Sequence, residues 1–166
     1  MKPTIDDESL ARLAKRVGGH FARHGLTIAT AESCTGGFIA KVLTDIAGSS
    51  AYVLEGFVTY SNSAKQARLG VAPKLLSQHG AVSEEVARAM ARGALSRARA
   101  SRSVAVTGIA GPGGAVPGKP VGTVWIGWAV QVRQGVRVRA QLFRFRGDRD
   151  SVRRKTVRAA LAGLLP

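Results

Sequence analysis

Residues 26–37 read Leu26-Thr27-Ile28-Ala29-Thr30-Ala31-Glu32-Ser33-Cys34-Thr35-Gly36-Gly37, "LTIATAESCTGG", and this stretch decides the fold. Its first half, residues 26–31, is a short apolar run of the kind that forms a buried strand. Its second half closes on a glycine pair. "FIAKVLTDIAG" follows, with Ile39, Val42, Leu43 and Ile46 on one helical face and Gly48 at the end. Ser33 therefore lies at a strand-to-helix turn. A strand that runs directly into a helix is the repeating unit of a parallel α/β sheet.

The same alternation extends in both directions. Upstream, Leu10, Leu13, Ala14, Val17 and Phe21 form the apolar stripe of a helix that Asp6 or Asp7 can cap and Gly25 can end. Downstream, "YVLEGFVTY" (residues 52–60) reads as a strand and "SNSAKQARLG" as a short helix, with Ser61 or Asn62 as its cap and Gly70 as its stop. Pro73 opens another short helix. Ser83 caps a long one whose inward positions include Val86, Met90, Ala94 and Ala98, with Glu84 and Glu85 in its first turn, where the helix dipole favours them. "SVAVTGIAG" (residues 103–111) is a third strand leading into the loop "GPGGAVPGKP", too rich in Gly and Pro to be helical. "VGTVWIGWAVQV" and "GVRVRAQLFRFRG" pair as a hairpin about Gln134-Gly135. In the second of these, Val136, Val138, Ala140 and Leu142 share one face while Phe143 and Phe145 fall on the other, so a β-bulge is expected near Leu142. A last helix starts at Asp148, with Val152, Thr156, Ala160 and Leu164 inward. The pattern predicts a three-layer α/β/α sandwich with a mixed, mainly parallel five-stranded sheet, as a single domain over residues 1–166 with a loose N-terminal segment at 1–9.

The chain has 166 residues, 45% of them hydrophobic, enough for a globular core. No apolar run reaches membrane-spanning length, and "MKPTIDDESL" is acidic where a secretion signal is basic, which predicts a cytoplasmic protein. A single cysteine, Cys34, excludes an internal disulfide framework and a Cys-based zinc site, and no metal or cofactor is expected. The formal charge of +15 favours anionic partners: nucleic acid, phosphorylated small molecules or a membrane surface. A general preference for arginine explains the same number, because net charge names no site.

An α/β sheet binds ligands beyond the carboxyl ends of its parallel strands. Residues 32–37, 60–65 and 107–114 lie at those ends. Ser33 is read in two ways: as the cap of the following helix, or as a nucleophile beside the N–H groups of Thr35, Gly36 and Gly37, which could hold an oxyanion or a phosphate. None of His20, His24 and His79 falls in these loops, so a Ser-His-Asp arrangement is poorly supported. Lys65 does, and a lysine kept neutral by burial can deprotonate a serine. As a lone lysine on a short helix, it is more commonly solvated. Cys34 reads as a small buried side chain. Gly113 to Lys119 imitates a phosphate-binding P-loop, but Pro120 replaces the metal-binding Ser or Thr and a strand follows instead of a helix, so that reading is rejected. Arg137 and Arg139 alternate with the apolar face and are expected in solvent. Arg149 sits near a helix start within reach of a phosphate. Phe143 and Phe145 interleave with Arg144 and Arg146, the one pattern that favours nucleic acid.

"AESCTGG", "TYSNSAKQARLGV", "GAVSEEVARAMARGA", "VTGIAGPGG", "KPVGTVWIG" and "FRGDRDSVRRKTV" occur in this order. Together they resemble the C-terminal domain of the CinA (competence/damage-inducible) family over nearly the whole chain. The resemblance implies a metal-independent amidase that converts nicotinamide mononucleotide to nicotinate mononucleotide and ammonia in pyridine-nucleotide recycling. It implies Ser33, Lys65 and Tyr60 as the catalytic residues, with Ser33 as nucleophile and Lys65 as base, and Tyr60 is expected to relay the lysine's proton to the departing ammonia. It also implies a pocket that includes Thr35, Gly36, Gly37, Asn62, Thr107, Gly108, Gly111, Gly113 and Gly114, with Arg149 on the phosphate. A homo-oligomer is implied, and nucleic acid is not an expected partner. Gly113 and the arginine-rich tail depart from the family pattern. The reading from another class is a non-enzymatic nucleic-acid-binding module.

Overall fold

The computed structural model describes residues 5–166. It contains α1 (Asp7–Arg23), β1 (Ile28–Glu32), α2 (Phe38–Thr44), β2 (Val53–Val58), α3 (Asn62–Leu69), α4 (Pro73–His79), α5 (Glu84–Ala98), β3 (Arg102–Gly108), β4 (Thr123–Val132), β5 (Gly135–Arg144) and α6 (Arg149–Ala162), with a short 3-10 turn at Ser49–Ala51. The sheet order is β2-β1-β3-β4-β5. β1 pairs parallel with both β2 and β3, whereas β3–β4 and β4–β5 are antiparallel. Four strands thus share one direction and β4 opposes them. Residues 7–9 are helical, not loose as expected, because the Asp6 carboxylate accepts from the Ser9 N–H and caps α1 there. Residues 1–4 of that segment lie outside the described residues.

Strand alternation separates two cores. Ile28, Val104, Val106, Val124, Ile126 and Trp128 face α1, α2 and α6. Ala29, Ala31, Ala105 and Ala129 face α5. Registered across four strands, Ala31, Ala105, Gly127 and Ala140 form one rung of small residues. That rung lets α5 lie close: a Cβ on Gly127 would stand 2.6 Å from the Ala87 carbonyl oxygen.

The expected bulge near Leu142 is absent. β4 and β5 stay in continuous register from Thr123↔Arg144 to Val132↔Gly135. The apolar phase switches because the edge strand serves both cores: Val136 and Val138 pack toward α5, and Phe143 and Phe145 toward the other layer, where their rings stack 5.3 Å apart. Leu142, beyond the cover of α5, is exposed. The Phe pair therefore packs, partly buried, against the core.

Candidate active site

Because successive side chains on β1 alternate, Ile28, Thr30 and Glu32 point toward α2. Glu32, fully buried, is the residue that caps that helix. One carboxylate oxygen accepts from the Ile39 N–H at 2.8 Å and the Thr35 hydroxyl at 2.7 Å, and the other accepts from the Ala40 N–H at 3.0 Å. Burial nonetheless pushes its carboxyl above the usual range, against the pull of those bonds. The cap reading of Ser33 is corrected accordingly. α2 begins at Phe38, with Gly37 in the left-handed region (φ 97) as its N-cap. Residues 33–37 form a turn that the Gly36 N–H closes onto the Ser33 carbonyl at 3.1 Å. Gly36 (φ 60) and Gly37 adopt backbone angles that a side chain strains. From the far side, an Arg153 guanidinium N–H donates to the Thr35 carbonyl at 3.0 Å and anchors the turn to α6.

The turn leaves the Ser33 hydroxyl facing Lys65. Ser61 caps α3 by accepting from the Ala64 N–H, and one turn of helix swings Lys65 back under the sheet edge. Lys65 is 1% exposed. Its Nζ lies 3.0 Å from Ser33 Oγ, 2.9 Å from the Thr59 carbonyl oxygen and 3.1 Å from the Tyr60 carbonyl oxygen. No carboxylate is among these contacts, and burial draws the ammonium below the usual lysine range. The solvated alternative for Lys65 does not hold.

A cavity of about 250 Å³ opens above this pair. Of the expected site residues, it brings together Ser33, Tyr60, Asn62, Lys65, Thr107, Gly108, Gly111, Gly113, Gly114 and Arg149, the last from α6. Thr35, Gly36 and Gly37 stand behind the serine and do not line it; the Thr35 hydroxyl is held by Glu32 and the Gly36 N–H by Ser33. The Thr107 hydroxyl donates to the Ala81 carbonyl at 2.8 Å, which fixes one wall. Gly108 is dictated by packing, since a Cβ there would lie 2.7 Å from Val124 Cγ2. Tyr60 is 61% exposed, and its hydroxyl accepts from Arg149 at 3.2 Å, away from Lys65. It is the Tyr60 backbone carbonyl that touches the lysine. A second Arg149 donor reaches the Gly111 carbonyl at 2.7 Å, so this guanidinium joins two walls of the mouth. Cys34 also lines the cavity, but burial pushes its thiol up to about 12. Its N–H meets no acceptor among the described residues. Sequence reasoning missed Ala81, Val82, Ile109 and Ala110, small or apolar wall residues without a chemical signature, and it missed Glu32 and Arg153. Lys119 of the rejected P-loop turns away and donates to the His79 carbonyl at 3.0 Å.

A mixed α/β/α sheet with a buried serine–lysine pair at the carboxyl end of its central parallel strand defines a class: an α/β protein with a Ser–Lys pocket open to solvent. Within that class the chain belongs to the CinA family, whose C-terminal domain model matches residues 10–166. It is 52% identical over 160 residues to "Nicotinamide-nucleotide amidohydrolase PncC" of Escherichia coli K12, covering 96% of this chain and 95% of that protein. It is 51% identical over 158 residues to the protein of the same name from Pseudomonas putida, covering 95% and 96%. The crystal structure of the competence/damage-inducible protein CihA from Agrobacterium tumefaciens superposes with a TM-score of 0.90 at 48% identity, covering 99% of this chain and 97% of that one. Among the described residues no helix is long and apolar enough to cross a membrane, and no group of three His, Cys, Asp or Glu side chains could hold a metal.

Proposed function

We propose that this chain hydrolyses the carboxamide of nicotinamide mononucleotide to the carboxylate and ammonia, through an acyl-enzyme on Ser33, as a step of pyridine-nucleotide recycling. The names of its E. coli and P. putida relatives support the substrate. The observation that carries the mechanism is the Lys65 environment. A neutral amine has two N–H donors and one lone pair, and Nζ has two carbonyls and one hydroxyl around it. With the N–H groups on Thr59 and Tyr60, the lone pair accepts the Ser33 O–H. Absence of a carboxylate and burial both favour that neutral form.

Ser33 Oγ attacks the carbonyl carbon while its proton passes to Lys65 Nζ. The tetrahedral oxyanion forms beside the Cys34 N–H, the donor next to the nucleophile. One such donor is worth about 3 kcal/mol of activation energy. The C–N bond then breaks, Lys65 returns the proton to the leaving nitrogen as ammonia, and an ester to Ser33 remains. Water hydrolyses the ester as Lys65 accepts its proton and hands it back to Ser33 Oγ. Arg149 receives the phosphate. The departing ammonia meets Lys65 directly. Tyr60, whose hydroxyl is bound by Arg149, works at the phosphate end and takes no part in proton transfer.

The test is ammonia release from nicotinamide mononucleotide by the wild type and by Ser33→Ala. The wild type turns over. The alanine variant folds with unchanged circular dichroism and loses activity to background. Turnover retained in Ser33→Ala would overturn the acyl-enzyme mechanism, and no turnover by the wild type would overturn the substrate.

A further inference from the structure

We propose that the opposite pole of the sheet, where β3 and β5 begin, is a second ligand site for a small soluble molecule carrying a phosphate or diphosphate, held by Arg102, Arg137 and Arg139 beside His20. These four side chains line a cleft of about 370 Å³ floored by Ala129, Trp128 and Leu164. A second cleft of about 320 Å³ shares His20 and the tail at Leu165 and Pro166, and adds Lys15, Arg16 and Arg23. No Asp or Glu lines either cleft, and the one carboxylate there is the terminal group of Pro166. The ion pairs of the described residues use Arg12, Lys41, His79, Arg88 and Arg154, and none of the cations at this pole.

Helix polarity accounts for part of this, since His20 and Arg23 occupy the last turn of α1, where the dipole favours a cation. It does not account for Arg102, Arg137 and Arg139, which are on strands. Arg139 is also fixed: its guanidinium lies 3.9 Å above the Trp128 ring and donates to the Gly163 carbonyl at 2.7 Å. Burial, reinforced by His24, Arg23 and Arg102, holds His20 below the usual imidazole range. Like charges brought together around a concave apolar floor, with only the terminal carboxylate of Pro166 near them and no ion pair formed to it, repel one another, and an anion in the cleft relieves that repulsion. Arginine forks match phosphate oxygens.

The ligand is a small molecule, not a nucleic acid. The faces open to a base are few: the Trp128 ring is 4% exposed beneath Arg139, and the other ring lining the clefts is the His20 imidazole, which packs against His24 with ring centroids 4.5 Å apart. The cleft walls close around a volume suited to a phosphate ester. This site is separate from the serine pocket and does not depend on the reaction proposed there.

Pyrophosphate is the probe, and the imidazole resonances of His20 read it out by NMR in the full chain. Titration is expected to move the His20 signals saturably beyond a matched sodium chloride control and to raise the pH at which His20 protonates, because a nearby anion favours imidazolium. His79 serves as the distant reference. Arg137→Gln, whose side chain is exposed and leaves the packing intact, weakens the effect at least about tenfold, and Arg102→Gln/Arg137→Gln abolishes it. Shifts that never saturate, that match the chloride control, or that persist in Arg137→Gln overturn the proposal. So does a response to duplex DNA with none to pyrophosphate, which would make the pole a nucleic-acid surface.

Discussion

Replacing Lys65 by methionine keeps an unbranched apolar stem, with sulfur in place of Cδ, and removes the terminal nitrogen. In the wild type that nitrogen touches Ser33 Oγ at 3.0 Å and the Thr59 and Tyr60 carbonyls at 2.9 and 3.1 Å. The variant has no acceptor for the serine proton, so kcat for ammonia release falls by about 10²–10⁴-fold. KM changes little, because Arg149 and the glycine loop remain. Stability responds separately. The buried Thr59 carbonyl loses its donor, at a cost of about 1–3 kcal/mol, while the variant escapes the desolvation that lowers the lysine's pKa. With the folded pKa below the unfolded one, the unfolded chain binds more protons between those two values. The wild type therefore gains stability as pH rises through that window, by at most about 1.4 kcal/mol per pH unit, and the methionine variant does not. Urea unfolding followed by the fluorescence of Trp125 and Trp128, from neutral pH to the ordinary lysine range, gives the difference between the two proteins. It should grow as pH rises toward the ordinary lysine range and level off above it. A Met variant with more than about a tenth of wild-type kcat removes Lys65 from proton transfer. A stability difference that does not change with pH removes the lowered pKa.

Three further outcomes follow from the same geometry. Arg149→Ala should raise KM for the nucleotide about 10–100-fold with kcat within a few-fold, since its guanidinium is at the mouth and not at the serine; a kcat effect alone in steady-state kinetics would contradict the phosphate role. Cys34→Ala should keep most of the activity, and the native thiol, pushed up to about 12, should resist iodoacetamide in mildly alkaline buffer until the chain unfolds; rapid alkylation of the folded protein would show the burial argument to be wrong. Gly108→Ala should lose about 1–3 kcal/mol in urea unfolding, because its Cβ would stand 2.7 Å from Val124 Cγ2 and 2.8 Å from the Thr123 carbonyl oxygen; a neutral substitution would mean that β4 yields more readily than its packing suggests.

The elements that carry chemistry were legible where local pattern and tertiary role agree. The apolar run at 26–31 lies at a central position flanked by β2 and β3, and the strand-end loops converge as the α/β logic requires. The pattern failed where the deciding partner is elsewhere or where one strand serves two layers. Ser33 before a glycine pair looks like a cap, yet Glu32 reaches over the turn to cap α2, and a glutamate ending a strand carries no cap signal. Tyr60 and Lys65 fall within one motif, but only coordinates show that the carbonyl of Tyr60, and not its hydroxyl, meets the lysine. The phase switch in β5 looked like a bulge because periodicity cannot reveal that both faces of an edge strand are covered at different ends. The contact of Arg153 with Thr35 spans 118 positions, beyond any local signal.

The central position of β1 has a consequence for motion. All five of its residues are buried and both of its edges are paired, so its amides exchange with deuterium only when the whole domain opens. The Ser33 turn is tied to this strand through Glu32 and to α6 through Arg153, which fixes its place in the fold. The loop over residues 111–120 has one isolated bridge, between Val116 and Lys119, and side-chain ties from Arg149 to Gly111 and from Lys119 to His79, so its amides are expected to exchange faster. The strand behind the nucleophile and the loop at the doorway therefore belong to different stability classes in one pocket.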